Sequence, residues 1–83
     1  MSEWKERKRP ICLERRFEFA TYEDTRDFLD SLSDLSEATG LFPDISFGKT
    51  YVNITLRPEI EGDDQKLTDQ DYLFTRKVNE IFD

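Results

Sequence analysis

The chain has 83 residues, enough for one domain whose small core buries only about 60–65% of the surface the unfolded chain exposes. Its net charge of −7, with charged residues at 37% and hydrophobic ones at 36%, argues against nonspecific binding to nucleic acid or to an anionic membrane surface. It contains no histidine and a single cysteine, Cys12, which excludes an internal disulfide and deprives a zinc site of its usual ligands.

No stretch approaches the roughly 18 apolar residues of a membrane span, and no apolar targeting segment follows the N-terminus. The expectation is a soluble, cytoplasmic protein with a packed core, since seven phenylalanines speak against disorder. A core this small gains from self-association, and an exposed strand edge is the expected route to a homodimer. The charge is uneven: residues 1–16 carry a net +3, leaving −10 for the remainder. Residues 1–10 therefore read as a basic N-terminal extension and 11–83 as a single domain. The run Lys5-Glu6-Arg7-Lys8-Arg9 is either a solvated tail or a contact for an acidic partner.

A strand is predicted over 11–19, with Ile11, Leu13, Phe17 and Phe19 on one face and Cys12, Glu14, Arg16 and Glu18 on the other. Arg15 interrupts the apolar face, which suggests a position near an edge. Thr21 is placed to cap a helix, with Asp24 three residues on, and Thr25, Phe28, Leu29, Leu32, Leu35 and Thr39 recur at helical spacing. Gly40 is placed to end that helix.

A short strand over 43–47 and a turn at Gly48-Lys49 lead to a second alternating strand over 51–57. There Val52, Ile54 and Leu56 point to the core, while Tyr51, Asn53, Thr55 and Arg57 point away. Pro58 stops this strand, and 59–66 form an acidic loop without the ordered spacing of a calcium loop. Thr68 and Asp71 form a capping pair, flanked by Leu67 and Tyr72 at the spacing of a hydrophobic staple. Phe74, Val78, Ile81 and Phe82 continue an apolar stripe. This order predicts an α+β two-layer sandwich, an antiparallel sheet with two main helices packed on one face. Asn53-Ile54-Thr55 fits a glycosylation sequon but lies in a predicted strand and is read as incidental.

From Phe17 onward these elements resemble the pterin-4a-carbinolamine dehydratase family. The resemblance rests on Phe17-x-Phe19-x-x-Tyr22, Pro43-Asp44, Val52-x-Ile54-Thr55-Leu56 and Leu67-Thr68-x-x-Asp71. Active members carry an acidic residue before a His-His-Pro triplet, then an aromatic residue, a third histidine and an aspartate. Against that pattern Glu37, Pro43 and Asp71 match. Leu41 and Phe42 stand at the paired histidine positions, Lys49 at the aromatic one and Glu59 at the third histidine. Dehydration of a carbinolamine needs a proton removed and one delivered, for which imidazole is suited, and each such group contributes about 10²–10⁴-fold. The resemblance thus implies a degenerate site without catalysis, metal or cofactor. The rival reading is a dehydratase in which Glu59 acts as a base beside Glu37 or Asp71.

Within the family the chain is similar to the RuBisCO assembly factor subgroup of alpha-carboxysome bacteria. That likeness is carried by Trp4-x-x-Arg7-x-x-Pro10-x-x-Leu13-Glu14-Arg15-Arg16 and by the segment from Pro43 to Asn53. It implies a homodimeric chaperone of the RuBisCO large subunit, cytoplasmic or associated with the carboxysome. The candidate partner-binding residues are Arg16, Tyr51, Asn53 and Arg57, on one face of the sheet, since Tyr and Arg are favoured interface anchors. An ordinary solvated sheet face is the alternative, and so is an adaptor for an unrelated protein. Leu41 and Phe42 either fill the vacated pocket or present an apolar patch to a partner.

Overall fold

In a computed structural model, residues 4–8, 11–58 and 67–82 are described. They form strands β1 (Lys5–Lys8) and β2 (Ile11–Glu18), helix α1 (Tyr22–Thr39), strands β3 (Asp44–Phe47) and β4 (Tyr51–Leu56), and helix α2 (Asp69–Phe82). The sheet runs in the order β1-β2-β4-β3, every neighbour antiparallel. Both helices pack on one face of it: Phe28 and Leu32 of α1 and Phe74 and Val78 of α2 share a core with Leu13, Phe17, Val52, Ile54 and Leu56. The α+β sandwich expected from the sequence is the fold observed.

Each helix begins where its cap places it. Thr21 is extended, and its Oγ1 accepts a hydrogen bond from the Asp24 N–H at 3.1 Å. At the other end Gly40 adopts φ 76°, a left-handed conformation that costs an L side chain energy, and its N–H donates to Ser36 O at 2.8 Å. Ahead of α2 the capping box is reciprocal. Thr68 donates its N–H to Asp71 Oδ2 at 2.8 Å, and the Asp71 N–H donates to Thr68 Oγ1 at 3.3 Å.

β4 shows the alternation its sequence predicts, with Val52, Ile54 and Leu56 buried. Full burial of such side chains contributes about 1.5–3 kcal/mol each. Five rings close one end of the core: Phe17 and Phe19 each meet Phe28 and Phe82, which also meet each other, and Trp4 packs edge-on against Phe17 at 6.0 Å.

One feature differs from the sequence reading and a second adds to it. The basic run is not a free tail, because Lys5–Lys8 form β1 and pair with β2, Lys5 opposite Glu14 and Arg7 opposite Cys12. Arg15 interrupts the apolar face one residue past the Ile11–Glu14 stretch that pairs with β1, but it is engaged by α2 and is not simply solvated. Its side chain lies on the helix side, with the guanidinium 4.2 Å from the Phe17 ring centre and Nη1 donating to Asn79 Oδ1 at 2.5 Å. The same oxygen accepts the Trp4 Nε1–H at 2.8 Å, so one amide of α2 holds two strands.

Candidate functional site

The sheet has an open face, turned from the helices, and the register determines which side chains meet there. Glu18 stands opposite Tyr51, Arg16 opposite Asn53, and Glu14 opposite Thr55. Residues directly opposite share a face, so Lys5, Arg7, Glu14, Arg16, Glu18, Asp44, Ser46, Tyr51, Asn53 and Thr55 all belong to it. Arg16 places its guanidinium 4.3 Å from the Tyr51 ring centre. Gly48 makes room for that stack, since a Cβ there would overlap the Tyr51 ring. Beside it a shallow cleft of about 240 Å³ is lined by Lys5, Glu14, Arg16, Asn53 and Thr55, among others.

Charges on this face are paired across and along strands. Arg7 Nε lies 2.5 Å from Glu14 Oε1, Arg16 Nε 3.3 Å from Glu18 Oε1, and Arg57 Nη1 3.3 Å from Asp44 Oδ2. The hydrogen bond that Arg7 donates to Glu14 raises the pKa of Arg7 above its ordinary value. These pairs are exposed and contribute little stability. Their consequence is electrostatic: the open face is nearly charge-balanced, while α1 exposes Glu23, Asp24, Asp27, Asp30, Asp34 and Glu37 against one arginine, Arg26. Among the described residues, acidity is therefore carried mainly on the helix side.

Of the proposed partner-binding residues, the structure brings Arg16, Tyr51 and Asn53 together. Arg57 lies four residues along from Asn53, about 13 Å at the rise of a strand, beside Asp44. Sequence reasoning set Glu14 and Glu18 on the strand face of Arg16 but named neither them nor Lys5 and Arg7 among the candidate binding residues. The alternation of charge at 14, 16 and 18 was the available signal.

The described residues at the family's catalytic positions differ widely in their settings. Leu41 is 7% exposed and joins the core, whereas its neighbour Phe42 is 72% exposed. Two clefts flank Leu41: one of about 390 Å³ runs past Phe42, Asp44 and Arg57, the other, about 210 Å³, past Leu73, Phe74 and Lys77. Neither is lined by Glu37, Lys49 or Asp71. Glu37 is exposed near the end of α1, and Lys49 is exposed in the turn between β3 and β4. Asp71 is buried, and its Oδ2 accepts both the N–H and the Oγ1–H of Thr68 at 2.8 and 3.2 Å. Glu59, with the acidic loop around it, lies outside the described residues. Among the described residues no group of three His, Cys, Asp or Glu is placed to hold a metal, and no helix is long and apolar enough to cross a membrane.

Comparison with known proteins accords with this geometry. The model of the pterin 4 alpha carbinolamine dehydratase family matches residues 1–81, so the match takes in β1 as well as the later elements. A provisionally named pterin-4-alpha-carbinolamine dehydratase of Aromatoleum aromaticum is 33% identical over 69 residues, 82% of this chain but only 58% of the relative. A protein of Koribacter versatilis with the same provisional name is 30% identical over 89% of this chain and 76% of its own length. Among solved structures, a pterin dehydratase-like protein identified as a RuBisCO assembly factor in the alpha-carboxysome superposes with a TM-score of 0.82. It is 42% identical, over 96% of this chain and 89% of that one. A transcriptional coactivator/pterin dehydratase from Brucella melitensis shares the fold with a TM-score of 0.84 at 20% identity, over 96% and 82% of the two chains. With a match that runs through every strand and helix described above, the chain belongs to the pterin 4 alpha carbinolamine dehydratase family.

Proposed function

We propose that this chain is a non-catalytic member of its family that assists RuBisCO assembly as a homodimer, in the cytoplasm or at the carboxysome. The observation that carries the reading is the likeness, at 42% identity over nearly the whole of both chains, to the pterin dehydratase-like RuBisCO assembly factor. The chemistry agrees. Leu41 and Phe42 move no protons, and Asp71 already accepts two hydrogen bonds from Thr68. A large subunit would be met by the open sheet face, with Arg16, Tyr51 and Asn53 at its centre and Arg57 at its end.

The edges of the sheet support the homodimer reading. Gly48 N–H donates to Tyr51 O at 3.0 Å, so antiparallel alternation turns the backbone groups of Asp44 and Ser46 toward β4 and those of Ile45 and Phe47 outward. A second copy related by a two-fold axis at Ser46 sets Ile45 against Phe47 and pairs those free groups reciprocally. Both copies then keep their helices on the same side of one continuous sheet.

Co-expression of RuBisCO subunits with and without this chain tests the function. The expected result is more assembled holoenzyme at unchanged subunit synthesis; an unchanged holoenzyme yield sinks the reading. The curated relatives support a second reading, a dehydratase acting through Glu59. Turnover of a carbinolamine pterin that Glu59→Gln abolishes would establish it in place of the first.

A further inference from the structure

Where β2 ends, α1 begins and α2 ends, Phe19, Phe28 and Phe82 gather with ring centres 5.1, 5.5 and 6.2 Å apart. A cleft of about 290 Å³ opens over them, with Asp24, Asp27 and Ser31 of α1 along one wall and Ile81 on the other. Three independent features make it favourable to a cation. Aromatic faces attract a cation through their quadrupole. The carboxylates of Asp24 and Asp27 are exposed, and among the described residues neither is engaged in a hydrogen bond or ion pair. Finally α2 ends here with no basic residue of its own in its last turn, where the helix dipole favours a cation. The positive end of α1 acts in the opposite sense, but Glu23 and Asp24 in its first turn offset it.

The molecule already seats one guanidinium against this cluster. From the sheet side, Arg15 stands 4.2 Å from the Phe17 ring centre and 5.3 Å from that of Phe82. Phe82, one of the two rings that Arg15 meets, also lines the cleft. A guanidinium suits it better than an ammonium, because its planar, weakly hydrated group stacks on rings while its N–H fork reaches carboxylates. We propose that this cleft is a docking site for an arginine side chain presented by a basic segment of a partner protein. It lies on the helix side, apart from the open sheet face, and does not depend on the identity of the protein that presents the arginine.

The test is a titration of the isotope-labelled full chain with a short blocked peptide carrying a single arginine, followed by NMR. A matched peptide with citrulline keeps the shape and removes the charge. Saturable shifts at Phe19, Asp24, Asp27, Ser31 and Phe82, absent with citrulline, are expected. The pair Asp24→Asn and Asp27→Asn should weaken binding about fivefold or more. These substitutions spare the helix cap, which uses the backbone N–H of Asp24. The control pair Asp30→Asn and Asp34→Asn should leave binding unchanged. Equal binding of the citrulline peptide, an equal loss with the control pair, or no saturable shift at the cleft each overturns the proposal.

Discussion

The two edges of the sheet are built on opposite plans. β1 reads Lys-Glu-Arg-Lys, all of it exposed, and is held in place by side chains. Trp4 reaches Asn79 of α2, Glu6 accepts the hydroxyl of Tyr72 at 2.5 Å, and Arg7 meets Glu14 of β2. β3 reads Asp-Ile-Ser-Phe, with Ile45 41% and Phe47 58% exposed, though both stand opposite core residues of β4. Neither helix covers them, and Phe42 adds a third exposed apolar side chain just before the strand. A row of charges is how natural sheets prevent edge-to-edge association, whereas an uncovered apolar edge invites it. The contrast fits the proposed homodimer, in which one edge is protected and the other is offered.

The largest effect is expected at the anchor of the protected edge. Asn79→Leu keeps the bulk of the side chain but removes the oxygen shared by Trp4 and Arg15. Loss of an acceptor from a partly buried guanidinium and an indole should destabilise the domain by about 2–3 kcal/mol, read from the denaturant midpoint. Hydrogen exchange should rise first in β1. A loss spread evenly over the sheet would mean that the amide serves the core and not the edge.

The offered edge is broken next. Replacing both Ile45 and Phe47 by lysine puts like charges opposite each other in the proposed pairing. Self-association should weaken at least tenfold, about 1.4 kcal/mol, by sedimentation equilibrium. The unfolding free energy of the monomer should change by no more than about 0.5 kcal/mol. Lysines at Lys5 and Lys8 already occupy the other edge. If Glu6→Lys in β1 dissociates the protein and the β3 change does not, the assignment of the edges is reversed.

The contrast also explains what could be read in the sequence. Elements that carry their own signal were legible: Thr21, Gly40 and the Thr68–Asp71 pair act within a few residues, and Val52, Ile54 and Leu56 alternate on their own strand. β1 has no such signal, since none of its side chains is apolar. It is a strand because β2 supplies its ladder. What was not legible for Arg15 is its partner, since Asn79 is 64 positions away. Ser36 is buried where a polar residue in a helix is expected to face water, under the turn that Gly40 closes. For the site, alternation placed Arg16, Tyr51 and Asn53 on one face, but nothing local separates Leu41 from Phe42. Their different fates follow from where the chain leaves Gly40 and enters β3.

A smaller change probes the turn that joins the offered edge to the open face. Gly48→Ala forces the Tyr51 ring to swing from its place and so disturbs the stack with Arg16. The ring is a side chain free to rotate, so the cost should be about 1 kcal/mol. The Tyr51 ring resonances, and the contribution of the open face to partner binding, should change more than stability does. An unaltered ring environment would show that the stack does not depend on this glycine.

The smallest effect is one of pH, again at the protected edge. The hydrogen bond to Glu6 comes first among the causes that raise the pKa of the Tyr72 phenol above its usual value near 10, with burial second. A raised phenol pKa means that the folded state holds its proton more tightly than the unfolded one. The stabilisation is therefore complete below the unfolded pKa and is lost as pH rises from about 10 through the folded value. Tyr72 is well exposed, so screening limits the bond to a few tenths of a kcal/mol. The melting temperature of the native chain should then fall slightly more between pH 9 and pH 11 than that of Tyr72→Phe, intervals chosen on either side of the phenol's ordinary value near 10. Equal slopes would leave the charged edge held by the two other contacts, Trp4 with Asn79 and Arg7 with Glu14.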